Sequence, residues 1–328
     1  MKTLKIVQLV LLLLIISGLV VVLAFGMAGR LTGTIGTWFR HSVVSSSVMI
    51  FDHAYDGRDL IRIDSQLNTS NLEFEVSADD QLRVVYYGPE SEKDDPTVRV
   101  HFASDTVEIT QKNRIGFLRS FSNERVIVYL PRSFADDIAC QSASGNILFN
   151  EDLTLNHLRL EVSSGNVTMQ AITTSVLDID VSSGRVLADW VQADVYRFKI
   201  SSGNLQLIGL IGKGDIISTS GNITVEALTG GGSIKSTSGN TTIGLEKLDT
   251  DLEISLTSGS ADVQLLMSDP DLSCDLDVLS GTIRSNFGNV NRHVAGASLS
   301  HAFGDGTGHH LSVKSTSGNL KIEQLNND

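Results

Sequence analysis

Apolar and polar residues alternate along most of the chain beyond residue 60, and Ser-Gly dipeptides interrupt the alternation at a nearly fixed step. Period-two patterning bounded by turn residues predicts β-strands. The first runs are Leu60-Ile61-Arg62-Ile63-Asp64, Leu72-Glu73-Phe74-Glu75-Val76 and Leu82-Arg83-Val84-Val85-Tyr86-Tyr87. They are followed by Val98-Arg99-Val100-His101-Phe102, Thr106-Val107-Glu108-Ile109-Thr110 and Arg125-Val126-Ile127-Val128-Tyr129-Leu130. From there on the glycines of the dipeptides are Gly145, Gly165, Gly184, Gly203, Gly221, Gly239, Gly259, Gly281 and Gly318. Their successive gaps are 20, 19, 19, 18, 18, 20 and 22 residues, then 37. A constant period of this size marks a stacked array in which each unit rests on its neighbours.

Aligning the repeats on glycine gives the cross-section of one unit. Five residues earlier stand Leu160, Ile179, Phe198, Ile216, Ile234, Ile254, Leu276 and Val313. Two residues later stand Ile147, Val167, Val186, Leu205, Ile223, Ile283 and Leu320. Each unit therefore reads as strand, tight turn, strand and looser corner, with both strands turning apolar residues inward. The predicted fold is all-β: a parallel β-solenoid of about ten coils, ~50 Å long at ~4.8 Å per coil. An outward column, Arg159, Asp178, Arg197 and Asp215, alternates in sign from coil to coil and favours in-register stacking.

Glycine tolerates positive φ, and asparagine tolerates it better than most residues. The turn residues Gly145 through Gly318, with Asn146, Asn166, Asn204, Asn222, Asn240 and Asn319, are accordingly assigned a structural role, and the amides are placed to form a ladder. Arg185, Ser260 and Thr282 replace the asparagine in three turns.

The chain opens with an apolar run from Ile6 to Ala28, long enough as a helix to cross a bilayer. This predicts a membrane anchor over 1–28, a Gly/Ser/Thr-rich tether over 29–47, an irregular β capping region over 48–135 and the solenoid over 136–328. The expected localisation is the cell membrane, single-pass, with the large domain outside the cytoplasm. Trp38 and Phe39 are placed at the membrane interface or at the start of the folded domain.

Composition agrees with strands and tight turns: 29 glycines, four prolines and 6% aromatics among 328 residues. A net charge of -13 excludes nucleic acid as a natural partner. Cys140 and Cys274 lie seven repeat steps apart, so the two thiols are expected to be free and to fill small core positions. His309 and His310, with His301 and Asp305 nearby, form the single cluster with metal-ligand chemistry. Consecutive strand residues face opposite ways, so these two histidines do not converge on one ion, and a polar loop is expected. Motifs for a serine nucleophile elbow, a zinc protease helix, a phosphate loop or an EF-hand are absent, and the outward charges pair rather than converge. No catalytic residue, cofactor or metal is assigned.

The Leu130-Pro131-Arg132-Ser133 strand ending, followed by serial Ser-Gly-Asn turns and a Gly304-Asp305-Gly306 run before Thr316-Ser317-Gly318-Asn319, resembles the bacterial putative-adhesin family of domains of unknown function. The resemblance covers roughly Leu60 to Gln324. It implies a β-solenoid, often behind one membrane helix, with no catalytic residues to carry over. The function expected from it is non-enzymatic adhesion or binding of a protein or envelope ligand. Two alternatives stay open: a bactofilin-like scaffold that self-associates into homo-oligomers through exposed strand edges, and a membrane regulator of envelope-stress signalling whose helix Ile6 to Ala28 pairs in the membrane.

Overall fold

The computed structural model of the chain describes residues 47–56, 59–103, 105–112, 124–293 and 296–325. These residues are built almost wholly of β-strand, largely in parallel pairing, as expected of a β-solenoid. The predicted segment Ile6 to Ala28, with Trp38 and Phe39, lies outside the described residues. Among the described residues no helix is long and apolar enough to cross a membrane. The structure thus overturns the expected localisation as a single-pass membrane protein, since the elements it describes are strands.

Among the described residues eighteen strands follow in order. The first seven are β1 (Val48–Tyr55), β2 (Arg62–Leu67), β3 (Asn71–Val76), β4 (Leu82–Gly88), β5 (Val98–Ala103), β6 (Thr106–Gln111) and β7 (Arg125–Leu130). Next come β8 (Asp137–Ser142), β9 (Ile147–Phe149), β10 (Leu153–Ser164), β11 (Val167–Ser220), β12 (Ile223–Ser238) and β13 (Thr241–Ser258). The last are β14 (Ala261–Leu265), β15 (Leu272–Ser285), β16 (Asn291–His293), β17 (Gly296–Phe303) and β18 (His309–Gln324). β1 starts just past the predicted tether, in a stretch whose alternation is too weak to announce it.

Stacking begins earlier than the glycine row. β2 lies parallel between β6 and β8, and β3 lies parallel between β7 and β9. Ser70-Asn71 therefore occupies the place that Gly145-Asn146 takes in the next coil. The turn without glycine is held instead by Gln111, whose Oε1 accepts the backbone N–H groups of Asn68, Thr69 and Ser70 at 2.9–3.2 Å. The Gln111 amide nitrogen donates onward to the Ser70 hydroxyl and to Glu124.

At the far end, chain order and spatial order part. β18 pairs in parallel with β13 and β14 on one side and with β15 on the other. The last strand is thus inserted between the Gly259 and Gly281 coils, and Gly259 donates its N–H to Ser317 at 3.0 Å. The long gap after Gly281 does not hold one further degenerate coil in line. It holds the antiparallel strands β16 and β17, which finish the stack against β15, and the return to β18. This insertion sets Cys140 and Cys274 eight coil steps apart rather than seven; both are free and buried. The other end is finished in the same manner, with β4 and β5 antiparallel to β7 and β6, and β1 antiparallel to β4.

One core column shows how register organises packing. Ser65, Cys140, Leu160, Ile179, Phe198, Ile216, Ile234, Ile254, Val313 and Leu276 stand on successive coils, and all are buried. Burying one Leu- or Ile-sized side chain stabilises by about 1.5–3 kcal/mol, and each lies between two neighbours of its own kind. Tyr196, two residues before Phe198, is also buried and reaches further. Its ring spans to the glycine-rich corner two coils on, where its hydroxyl donates to the Gly231 carbonyl at 3.2 Å.

Candidate functional site

The turn residues meet tight backbone constraints. Gly221 has φ of 138°, a region that only glycine enters without strain. A Cβ there would also overlap the carbonyl oxygen of Gly203 in the coil before it. Gly145 lacks the positive φ, yet its Cβ would overlap the Ser70 carbonyl. Close approach of neighbouring turns is therefore a second reason for glycine beside its tolerance of positive φ.

The asparagines form a ladder through their side-chain carbonyls. Asn71 Oδ1 accepts the N–H of Asn146, Asn146 that of Asn166, and Asn166 that of Arg185, at 2.9–3.0 Å. Asn204, Asn222 and Asn240 continue the pattern to Asn222, Asn240 and Ser260. The acceptor serves the next coil, so Arg185 and Ser260 are held without an amide of their own. Asn319 accepts from the Thr282 hydroxyl at 2.7 Å.

The histidine pair opens β18. His310 Nδ1 lies 2.9 Å from Ser273 Oγ and its Nε2 3.5 Å from Asp275, while His309 Nδ1 lies 3.8 Å from Asp251. Asp305 stays in the preceding loop, bonded to Thr307, whose N–H and hydroxyl hold the Asp305 carboxyl below its usual range. Among the described residues no group of three or more His, Cys, Asp or Glu side chains is arranged to hold a metal ion.

The surface feature that the sequence does not announce is a polar trough on the outer face of the strands that precede the turns. Register places Thr110, Gln66, Gln141, Glu161 and Asp180 side by side on β6, β2, β8, β10 and β11, and Lys199 follows through its 2.6 Å ion pair with Asp180. On the turn side of this row a depression of about 560 Å3 is bounded by Asn68, Ala143, Ser163 and Ser182. On the other side a second depression, about 470 Å3, lies over Ala139 between Asp64 and Arg159. In the second hollow the Ala139 methyl forms the floor between the longer Asp64 and Arg159; in the first, Ala143 stands among the short side chains of Ser163 and Ser182.

Charge in the trough is largely paired. Arg62 Nε meets Asp64 at 2.8 Å, and the guanidinium is held charged by that carboxylate. Arg159 Nε donates to Glu161 at 3.0 Å, and Gln141 Nε2 donates to the other Glu161 oxygen at 3.2 Å. The alternating column is realised only in part: Arg197 reaches Asp178 at 3.7 Å, whereas Arg159 turns to Glu161 on its own strand. Such exposed pairs contribute about 0–1 kcal/mol each, so they orient side chains more than they stabilise the fold. The Cys140 thiol, beneath the trough, is pushed up to about 12 by burial and is no nucleophile.

No curated protein matches the chain. Among solved structures, a putative adhesin from Bacteroides fragilis is similar at 13% identity and a TM-score of 0.42, covering 84% of this chain and 96% of that one. A putative lipid binding protein from Parabacteroides distasonis shows 12% identity and a TM-score of 0.39 over the same shares. A putative cell adhesion protein from Clostridium sporogenes shows 9% identity and a TM-score of 0.29, covering 85% and 100%. The model of the family described as Toastrack DUF4097 matches residues 59–323, most of the length of the chain, and the chain belongs to that family.

Proposed function

We propose that the protein is a non-enzymatic binding protein that presents the outer face of its β-stack to a ligand or partner on a cell surface. Membership of the Toastrack family and the adhesin-like descriptions of similar proteins support this reading. The observation that carries it is the polar trough: a recessed surface whose charged groups, Glu108 apart, are engaged with one another and whose thiol is protonated and buried. Hydrolytic chemistry would need convergent unpaired acids; of the four trough carboxylates Asp64, Glu161 and Asp180 each face a cation, which leaves Glu108 alone without an ion pair among the described residues.

The turn residues from Gly145 to Gly318, with their asparagines, are part of the proposal as structure alone. So is the division near residue 135 into a capping region and about ten coils. Assembly end to end gains no support from the described strands, because antiparallel strands close both ends of the parallel stack. The test is saturable binding of the full chain to intact bacterial cells and to isolated envelope polysaccharide. Binding that unlabelled protein competes away supports the proposal; uptake that rises linearly with concentration overturns it.

A further inference from the structure

The chemistry of the trough narrows the ligand class, resting on the binding reading above. Its central row, Thr110, Gln66, Gln141, Glu161, Asp180 and Lys199, offers one polar group per rung of the stack, at a pitch of ~4.8 Å. Four of the six are planar amides or carboxylates, the groups that bond two neighbouring hydroxyls at once. Gln66 and Thr110 have no side-chain partner among the described residues, and Gln141 uses only its amide nitrogen, so donors and acceptors stand ready for a ligand.

Other ligand classes fit less well. Three cations (Arg62, Arg159, Lys199) face four carboxylates (Asp64, Glu108, Glu161, Asp180), which leaves no field to attract an anionic polymer. A lipid site calls for an apolar lining, and the side chains here are polar above two alanine methyls. An extended peptide lying along the stack advances ~3.3 Å per residue and falls out of step with the rungs. A β-1,4-linked pyranose unit is close to one rung in length and carries hydroxyls on both edges.

We propose that this trough binds a neutral linear saccharide laid along the stack axis, one ring to about one rung. Without an aromatic platform each ring is held by hydrogen bonds alone, so affinity accumulates along the chain. Short oligomers bind weakly and longer ones progressively more tightly.

The experiment titrates the full-length protein with β-1,4-linked N-acetylglucosamine oligomers and β-1,4-linked glucose oligomers of increasing length, by calorimetry. Affinity should rise with length until the trough is filled. Gln66→Ala with Gln141→Ala should weaken the longest oligomer by about tenfold or more at unchanged melting temperature. Ala143→Arg, which fills the floor from an exposed position, should abolish binding. A titration that shows no binding for either series, or affinity unmoved by both variants, overturns the proposal. If Ala143→Arg still binds intact cells as the parent does, the trough fails as the site while the surface-binding reading stands.

Discussion

At the scale of single residues, turn position and backbone proximity outweigh side-chain chemistry. Gly221→Ala forces a Cβ against the Gly203 carbonyl in a backbone region that L-residues avoid. Its cost is expected at about 2–4 kcal/mol, read as a fall in denaturant midpoint at unchanged slope. Asn222→Ala removes one acceptor, that of the Asn240 N–H, from an exposed ladder. Its cost should be about 1 kcal/mol, clearly below that of the glycine change. The same scale sets the alkaline limit. Burial pushes the thiols of Cys140 and Cys274 up to about 12 and about 11, from 9.0. A folded-state pKa above the unfolded one stabilises fully below the unfolded value and is lost as pH rises toward the folded value. Melting temperature should hold to about pH 9 and fall between there and pH 11–12. The buried hydroxyls of Tyr86 and Tyr196, also shifted upward by burial, act in the same direction. At pH 8 neither cysteine should react with iodoacetamide until the protein is unfolded.

At the scale of elements, period-two alternation carried most of the information. The run Arg125 to Leu130 is β7 from end to end, and the runs at 72–76 and 106–110 lie within β3 and β6. Alternation states which face is buried; it does not state which strand lies alongside. Every coil offers its neighbours the same inward apolar columns, so the slot between the Gly259 and Gly281 coils accepts β18 as readily as any adjacent coil would. The 37-residue gap was the visible trace of that choice, and it was compatible with a simple extra coil. The trough was illegible for a related reason. Gln66 meets Gln141 only because β2, whose turn lacks glycine, stacks on β8; the Ser70-Asn71 pair was its faint signal. Insertion also has a mechanical consequence. A chain ending at Phe303 exposes two unsatisfied strand edges, on β13–β14 and on β15. Such a chain should bind a synthetic peptide spanning His309 to Gln324, with recovery of thermal stability. A peptide with Leu311, Val313 and Leu320 replaced by serine should not bind, because these buried side chains carry the core contact.

At the scale of the whole molecule, the described strands form one ladder whose coils touch mainly their neighbours, with the Tyr196 hydroxyl reaching one coil further, so stability is largely a sum of coil and interface contributions. Both ends differ from the middle: antiparallel strands close them, and aromatic groups rather than aliphatic columns cover them. At one end Phe51 stacks on His53 and Tyr55 on Phe102; at the other Phe287, His301 and Phe303 pack at ring separations of 4.5–5.0 Å. The ends are unequal in fastening. Near the first, the Glu92 carboxylate is buried and accepts from the Tyr86 hydroxyl and from both the N–H and hydroxyl of Thr97, at 2.7–3.0 Å. Near the second, Ser285 and Asn286 bond mainly to neighbouring backbone, and Leu279 stands exposed in the position that all other glycine-turn coils but that of Ala143 give to Ser or Thr. Opening should therefore begin at β16 and β17 and proceed inward through β15. Native-state hydrogen exchange is expected to rank protection as β16–β17 lowest, β15 next, and the interior of β11 highest. Glu92→Ala leaves two buried hydroxyls and an N–H without their acceptor, a loss of about 1–3 kcal/mol. It should drop protection in β4 and β5 while β15 to β17 exchange as before. Equal loss along the whole ladder would mean that the stack opens as one unit, and that the coils are coupled more tightly than neighbour contacts alone provide.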